Sequence, residues 1–380
     1  MRKSDKLAPT ARLDWDAPRA DAGWAPGAPP PPYGEGLPPD LVYPWDEPGK
    51  RPPRPRRGRL VLRLVALAVV LVLLAVVVRL AVFVAAVSTA SPLSAHFWPF
   101  GGPRQANVLV LGYGGQGHDG AYLTDSLLLL HADLGTRRTA QIGVPRDLWV
   151  QVPPDSGRYA KINSAYAYGL GAHGDDLDAG GRLATMKVSQ VTGLPVDRWV
   201  SVDFQGFRAL VDALGGVDID VERGFSAQYP ASDDPAVNPN WITVSFQAGR
   251  QHMDGETAIR YARARYADTP AEASDFARSQ RQERLVRAVG AKLKSPTSWW
   301  RLWAVLNALQ PHLRTNLAPL DMATLALRAD PGGSVKIALD DTNVLVNDTS
   351  ADGQAILVPR GGDYGVIGTY IQEQLAAGDR

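Results

Sequence analysis

The residues best suited to chemistry in this 380-residue chain are four arginines and a glutamine between positions 263 and 282. Arg263 and Arg265 stand two apart, so on an extended segment they share a face. Asp275, Arg278, Arg281, Gln282 and Leu285 follow at helical spacing, which lines polar ends along one stripe. A guanidinium is a planar fork of donors that matches phosphate oxygens, and four of them converging from two adjacent elements suit a pyrophosphate. The competing reading is a solvated basic face laced with Glu272 and Glu283, and spacing alone does not separate the two.

Two further places offer charged groups at strand ends. Leu123-Thr124-Asp125-Ser126 sets a carboxylate at the mouth of a buried strand, where it binds a divalent cation, orients a nucleophile, or closes a local turn. Val144-Pro145-Arg146-Asp147 puts a guanidinium at another strand terminus. Gly112-x-Gly114-x-x-Gly117 matches the dinucleotide fingerprint, but that fingerprint needs a helix directly after it to receive the pyrophosphate. Here a strand resumes by Ser126, so the glycines are expected to link neighbouring strands.

These groups need a scaffold, and the pattern from about Asn107 onward is that of a packed α/β domain. Asn107–Leu111, Ser126–Leu130 and Thr139–Val144 read as buried strands. Phe204, Phe207, Val211 and Leu214 share a helix face with Asp203 as N-cap, and Gly215-Gly216 ends that helix. Val217, Ile219 and Val221 then alternate as a strand, and a long helix starts near Ser274. Trp299, Trp300, Leu302 and Trp303, with Leu306 and Leu309, are expected on a helix packed against the core, a place near a lipid pocket or bilayer being the other reading. Strands near Val335–Leu339 and Ala355–Val358 close the domain. The class expected is a mixed α/β/α sandwich around a central β-sheet.

Ahead of the domain, residues 1–58 are rich in proline, glycine and charge, including Ala28-Pro29-Pro30-Pro31-Pro32, and read as a disordered tail. A cluster of Lys50, Arg51, Arg54, Arg56, Arg57 and Arg59 precedes an apolar run from Leu64 to Val87 broken only by Arg79. At ~1.5 Å per residue that run reaches roughly 36 Å, enough to cross bilayer hydrocarbon. The cations ahead of it set the tail in the cytoplasm and the domain outside. A cleaved signal peptide is the other reading. The organisation expected is a tail over 1–58, a transmembrane helix over 60–87, a linker over 88–105, a catalytic domain over 106–294 and a C-terminal extension over 295–380 packing on it.

Composition limits the chemistry. With no cysteine, thiolate catalysis, disulfides and iron–sulfur clusters are excluded. A net charge of +1 gives no field favouring nucleic acid, and none is expected as a partner. Hydrophobic residues at 45% are enough for a sizeable core.

From Asn107 to Lys294 the chain resembles the LytR-CpsA-Psr family of membrane-anchored phosphotransferases, which ligate glycopolymers to bacterial cell wall. The marks, in order, are Asn107-Val-Leu-Val-Leu-Gly112, Thr124-Asp125-Ser126, Val144-Pro145-Arg146-Asp147 and Lys161-Ile162-Asn163 with Ala165-Tyr166. Val202-Asp203-Phe204, Val211-Asp212-Ala213-Leu214-Gly215-Gly216-Val217, Asp254-Gly255, Tyr261-Ala-Arg263-Ala-Arg265 and Arg278-x-x-Arg281-Gln282 follow. The resemblance implies that Arg146, Arg263, Arg265, Arg278 and Arg281, with Gln282, hold the pyrophosphate of a polyprenyl-linked glycan whose tail enters an apolar pocket. It implies Mg²⁺ on Asp125, with Asp119 as the acid left to stand in for one the family usually carries just after the first strand. The family also usually has arginine where this chain has Leu123.

The activity implied is transfer of a glycopolymer phosphate from polyprenyl pyrophosphate to a hydroxyl of peptidoglycan or another wall sugar, with Asp125, Arg146 and Arg263 at the reacting centre. Two alternatives remain open: a pyrophosphohydrolase using the same site, and a non-catalytic binder of lipid-linked glycans. Transcriptional regulation is disfavoured by a domain placed outside the cytoplasm and a tail without a helix-turn-helix pattern.

Overall fold

The computed structural model describes residues 57–378, apart from 93, 119, 172–175 and 330–333. The tail expected over 1–58 falls outside these residues except for its last two positions, where a helix has already begun. The chain divides into two units, Met1–Ala68 and Val69–Arg380. The described part of the first is the opening of helix α1 (Arg57–Val87), within which Leu60–Val87 is long and apolar enough to cross a membrane.

In the second unit β1 (Gln105–Tyr113), β2 (Thr124–Asp133) and β3 (Arg138–Val144) form an antiparallel meander. The glycine loop after β1 leads straight into β2, as expected, with no helix between. A ribbon of β4 (Trp149–Gln151) and β5 (Tyr159–Lys161) and two helices, α2 (Ser164–Gly169) and α3 (Leu177–Thr192), lead back to β6 (Arg198–Asp203), which runs parallel to β1. Asp203 then caps α4 (Phe204–Ala213) by accepting the Gly206 N–H at 2.7 Å. That helix stops at Gly215 and Gly216, whose φ values of 77° and 81° are open only to a residue without Cβ at little cost.

A smaller layer follows, with β7 (Val217–Val221) paired to β10 (Gly249–Met253) and β8 (Phe225–Pro230) paired to β9 (Trp241–Phe246). Next come α5 (Gly255–Arg263), β11 (Arg265–Ala267), α6 (Pro270–Ala273) and α7 (Asp275–Lys294), the last capped by the Ser274 hydroxyl. The remaining elements are α8 (Leu302–Leu309), β12 (Leu313–Thr315), α9 (Pro319–Arg328), β13 (Val335–Ala338), β14 (Leu345–Thr349), β15 (Ala355–Pro359) and α10 (Gly365–Ala377).

The central sheet is mixed, with order β12-β6-β1-β2-β3-β13. Both of its edge strands come from the stretch after residue 294. Strand alternation sends Leu109, Leu111, Leu127 and Leu129 into one core, with Val188 and Val191 of α3 and Ile367 and Ile371 of α10 packed on them. Ala106 and Val108 face the other way, towards Phe97 and Leu317. The smaller layer has its own core, in which Val211, Ile219, Phe246, Tyr261 and Leu285 meet. Sandwich and class are as the sequence led one to expect.

One expectation holds only in part. Trp299 and Trp300 are 70% and 71% exposed and Trp303 is 38% exposed, so of that segment only Val305 and Leu306 are buried against neighbours. The apolar spacing is met on one side, where Val305, Leu306 and the partly buried Leu309 pack on the domain, while Trp299 and Trp300 lie on its outside.

Leu129 is fully buried at the centre of the sheet. Leu129→Ala is expected to lower unfolding free energy by about 2–5 kcal/mol, read from urea unfolding of the full chain in micelles.

Candidate active site

The site lies at the end of the sheet where β1 and β6 finish, β2 begins and β3 ends. Asp125, second residue of β2, reaches Arg146 just beyond β3, and Arg146 Nη1 donates to Asp125 Oδ1 at 2.5 Å. Arg146 also meets Asp147 at 3.4 Å, and Lys161 at the end of β5 donates to the other Asp147 oxygen at 2.8 Å. Burial pushes the Asp147 carboxyl up, but the Lys161 hydrogen bond and the charge of Arg146 outweigh it and hold it below the usual range.

Arg263 sits in the last turn of α5, and its side chain is pinned on several sides. Its Nη1 donates to the Tyr229 hydroxyl and to Asp233 Oδ1, each at 2.8 Å. Its guanidinium stacks 4.0 Å from the Phe204 ring centroid. Nη2 lies 2.7 Å from His118 Nε2, and because guanidinium only donates, that ring nitrogen is the acceptor. His118 comes from the glycine loop, where a Cβ on Gly114 would stand 2.4 Å from the His118 ring. The glycine at 114 is what lets the histidine fold back. Asp233 is shared with Arg208, which also pairs with Glu256 at 2.6 Å. Burial raises the Asp233 carboxyl, and hydrogen bonds from Arg263 and Arg208 more than reverse this.

Arg263 and Arg265 do not share one extended segment as expected. Arg263 closes a helix, Ala264 is extended, and Arg265 opens β11. The register breaks between Arg265 and Ala267, and Tyr266 between them has φ 53°, a left-handed conformation costly for an aromatic residue. The kink nevertheless brings both arginines to one cavity.

That cavity, about 310 Å³, is lined by Asp125, Arg146, Arg263, Arg265, Arg278 and Gln282 together with His118, Leu123, Asn163, Tyr229, Trp241 and Tyr266. Asp125, Arg146, Arg278 and Gln282 also line a second cavity of about 380 Å³ between the sheet and α7. Its wall includes Leu127, Leu128, Val144, Val286, Ile337 and Leu339, with an ion pair between Lys336 and Glu283. Four residues thus stand between a polar chamber and one in which these aliphatic side chains are mixed with Asp147, Asp340 and Asp341.

Arg281 departs from the expectation. It is 1% exposed and lines neither cavity. Its Nε donates to the Tyr261 carbonyl at 3.1 Å, Nη2 to that of Ala264 at 2.7 Å, and Nη1 to Glu272 Oε2 at 2.7 Å and the Glu272 carbonyl at 3.0 Å. On α7 it is the neighbour of Gln282, but the helix turns it inward where backbone carbonyls take its donors. Arg278, one turn earlier, faces the cavities.

The metal expectation is only partly accommodated. Asp119 lies outside the described residues, and among those described no group of three His, Asp or Glu converges as a cage. Asp125 is the described carboxylate lining the polar cavity, and Arg146 already holds one of its oxygens. One carboxylate makes no resident Mg²⁺ cage, but it fits a cation that arrives coordinated to substrate phosphates.

Comparison with known proteins now bears on this geometry. A family model described as the LytR_cpsA_psr family matches residues 100–366. The chain belongs to the LytR-CpsA-Psr family. It is 28% identical over 196 residues to the polyisoprenyl-teichoic acid–peptidoglycan teichoic acid transferase TagV of Bacillus subtilis, covering 51% of this chain and 45% of that protein. It is 27% identical over 223 residues to the corresponding TagU of Enterococcus faecalis, covering 58% and 64%. In both cases the chain spans less than two thirds of the relative's length. The crystal structure of B. subtilis TagV superposes with a TM-score of 0.52 at 22% identity, over 72% of this chain and 98% of that one, and so shares the fold. The family model extends past Lys294 to 366, as the two edge strands require.

Some of these residues were hard to see beforehand. Asp233 sits in Ser232-Asp233-Asp234-Pro235, which reads as an ordinary turn, and Tyr229 is one of several aromatics in a strand. His118 carried a signal only as the one imidazole in the glycine loop of this family member.

Two outcomes follow. Arg281→Met leaves Glu272 buried and unpaired, so it is expected to cost about 3–5 kcal/mol of stability, whereas Arg265→Ala changes urea unfolding by less than about 1 kcal/mol. Because Asp147 and Asp233 have lowered native pKa values, their contribution is complete above the unfolded carboxylate pKa of about 3.9 and is lost as pH falls through the native values. Melting temperature should therefore drop below about pH 4, and less steeply in Asp147→Asn.

Proposed function

We propose that this chain transfers the phosphate of a glycopolymer from a polyprenyl-pyrophosphate carrier to a sugar hydroxyl of the cell wall, outside the cytoplasm. The observation that supports this best is the convergence of Arg146, Arg263, Arg265 and Arg278 on one polar cavity that shares four lining residues with a cavity walled in part by Leu127, Val144, Val286, Ile337 and Leu339. A lipid-linked diphosphate has the same two parts. The names of TagV and TagU, polyisoprenyl-teichoic acid–peptidoglycan transferases, agree with that division. The apolar helix α1 would hold the domain at the membrane where such a carrier resides.

In the reaction the acceptor oxygen bonds to the phosphorus nearer the glycan, and the bond from that phosphorus to the bridging oxygen breaks. Polyprenyl phosphate leaves, and the acceptor proton passes to solvent. Such displacements need positioning and charge neutralisation more than covalent help. Arg263 is preorganised for this by Asp233, Tyr229, His118 and Phe204, so little side-chain freedom remains to be lost on binding. Arg146 holds Asp125 in place, and Arg278 with Gln282 spans the boundary between the chambers. A magnesium ion entering with the diphosphate would be held by Asp125 and would supply further neutralisation.

The test uses the full chain in micelles, a polyprenyl-pyrophosphate-linked glycan and a peptidoglycan acceptor. Wild type is expected to release polyprenyl phosphate and to join glycan to acceptor, and Arg278→Ala should lose about 10²–10³-fold in kcat while melting normally. Free phosphorylated glycan in place of a joined product would make the protein a hydrolase. Binding without turnover would make it a lipid-glycan receptor, consistent with Leu123 standing on the cavity where the family usually has arginine.

A further inference from the structure

Trp299 and Trp300, 70% and 71% exposed, with Leu302 and Trp303, each 38% exposed, form an aromatic turn at the start of α8, and Arg301 lies 4.5 Å over the Trp300 ring. Its place is fixed by contacts between α8 and α1. Arg79 donates to Asn307, Phe83 and Val87 pack on Leu306, and Ser88 bridges in parallel to Thr315. The bond from Arg79 to Asn307 and the parallel bridge of Ser88 to Thr315 fix the direction at the two ends of this contact. The two segments run the same way, so residues before Asn307 lie on the side from which α1 arrives. Residues 299–303 are those residues, and Trp303 is one helical turn before Asn307.

Exposure along α1 marks the same level. Val77 and Val78 are more than half exposed, Leu80 is 38% exposed, and Phe83 and Val87 are buried against the domain. Leu60–Val87 is 28 residues. At ~1.5 Å per residue it is roughly 42 Å long, about 12 Å more than bilayer hydrocarbon. The surplus is about two turns, matching the part of α1 that the domain covers. The aromatic turn therefore stands where hydrocarbon gives way to headgroups, the layer that indole rings favour.

We infer that Trp299, Trp300, Leu302 and Trp303 seat in the outer headgroup layer of the bilayer that α1 crosses, giving the domain a second membrane contact. This rests on reading α1 as a spanning helix. With α1 alone the domain would swivel about one axis; a second contact fixes its tilt. The tilt matters because the end of the sheet that carries the site is also the end at which α8 and α1 meet. Leu313 pairs with Val202 one residue before Asp203, and Asp203 pairs with Tyr113 where β1 finishes.

The chain has no cysteine, so single cysteines can be labelled without background. Leu302→Cys, Val70→Cys in α1, and Thr136→Cys in the β2–β3 turn at the opposite end of the sheet would each carry a nitroxide. The full chain would be placed in phosphatidylethanolamine–phosphatidylglycerol vesicles, with relaxation by oxygen compared with relaxation by a soluble nickel chelate. The expected result is an oxygen-to-nickel ratio several-fold higher at 302 and at 70 than at 136. A high ratio at 70 with equal ratios at 302 and 136 overturns the second contact and leaves the anchor standing. A low ratio at 70 overturns both, and identifies the anchor as the failing step.

Discussion

The arrangement of the site depends on one buried guanidinium that is not in it. A helix ends with carbonyls that have no partner of their own, and α5 ends inside the molecule, where water does not reach. Arg281 supplies the missing donors, binding the Tyr261 and Ala264 carbonyls while its charge is met by Glu272. Gln282 adds a weaker bond to the Ala262 carbonyl at 3.4 Å. Helix α7 is thereby fastened to the corner where α5 turns into β11. Arg263 lies on one side of that corner and Arg265 on the other, while Arg278 projects from α7 itself. A single set of hydrogen bonds sets the mutual positions of three arginines.

Converging cations repel one another, and the structure offsets this with carboxylates placed behind them. Asp233 lies between Arg263 and Arg208, Asp147 between Arg146 and Lys161, and Asp125 against Arg146. Each acid is held ready without any ligand present, and the cationic forks are fixed before a substrate arrives. Tyr229 and Phe204 complete the cradle with ring faces and a hydroxyl, which hold a guanidinium without neutralising it.

The polar chamber has features of its own within the family. The glycine loop carries a histidine onto Arg263, and Leu123 occupies cavity wall where an arginine is usual. The acid usual after the first strand has its remaining counterpart in Asp119, outside the described residues. Both departures fall within residues 112–123 of the sequence. The deeper wall, made of Arg146, Arg278 and Gln282, keeps the residue types that mark the resemblance.

The sequence by itself determined the local elements and the family. Alternation and helical spacing located β1, β2, β3, β7, α4 and α7, and Asp203, Ser274 and Gly215-Gly216 marked where helices begin or end, because caps and breaks are decided within a few residues. Ordered motifs identified the family, and the apolar run identified a helix able to cross a membrane. Only the tertiary structure decided which arginine faces the cavity and which is spent inside. Arg278 and Arg281 are one turn apart and indistinguishable by type; what separates them is the presence of three carbonyl acceptors and Glu272 beside one and the two cavities that the other lines. The same holds for Asp233, whose value comes from two arginines distant in the chain, and for the tryptophans, whose exposure depends on what α1 and α4 leave uncovered. Spacing fixes the direction of a side chain relative to its own helix, and folding fixes what stands in that direction.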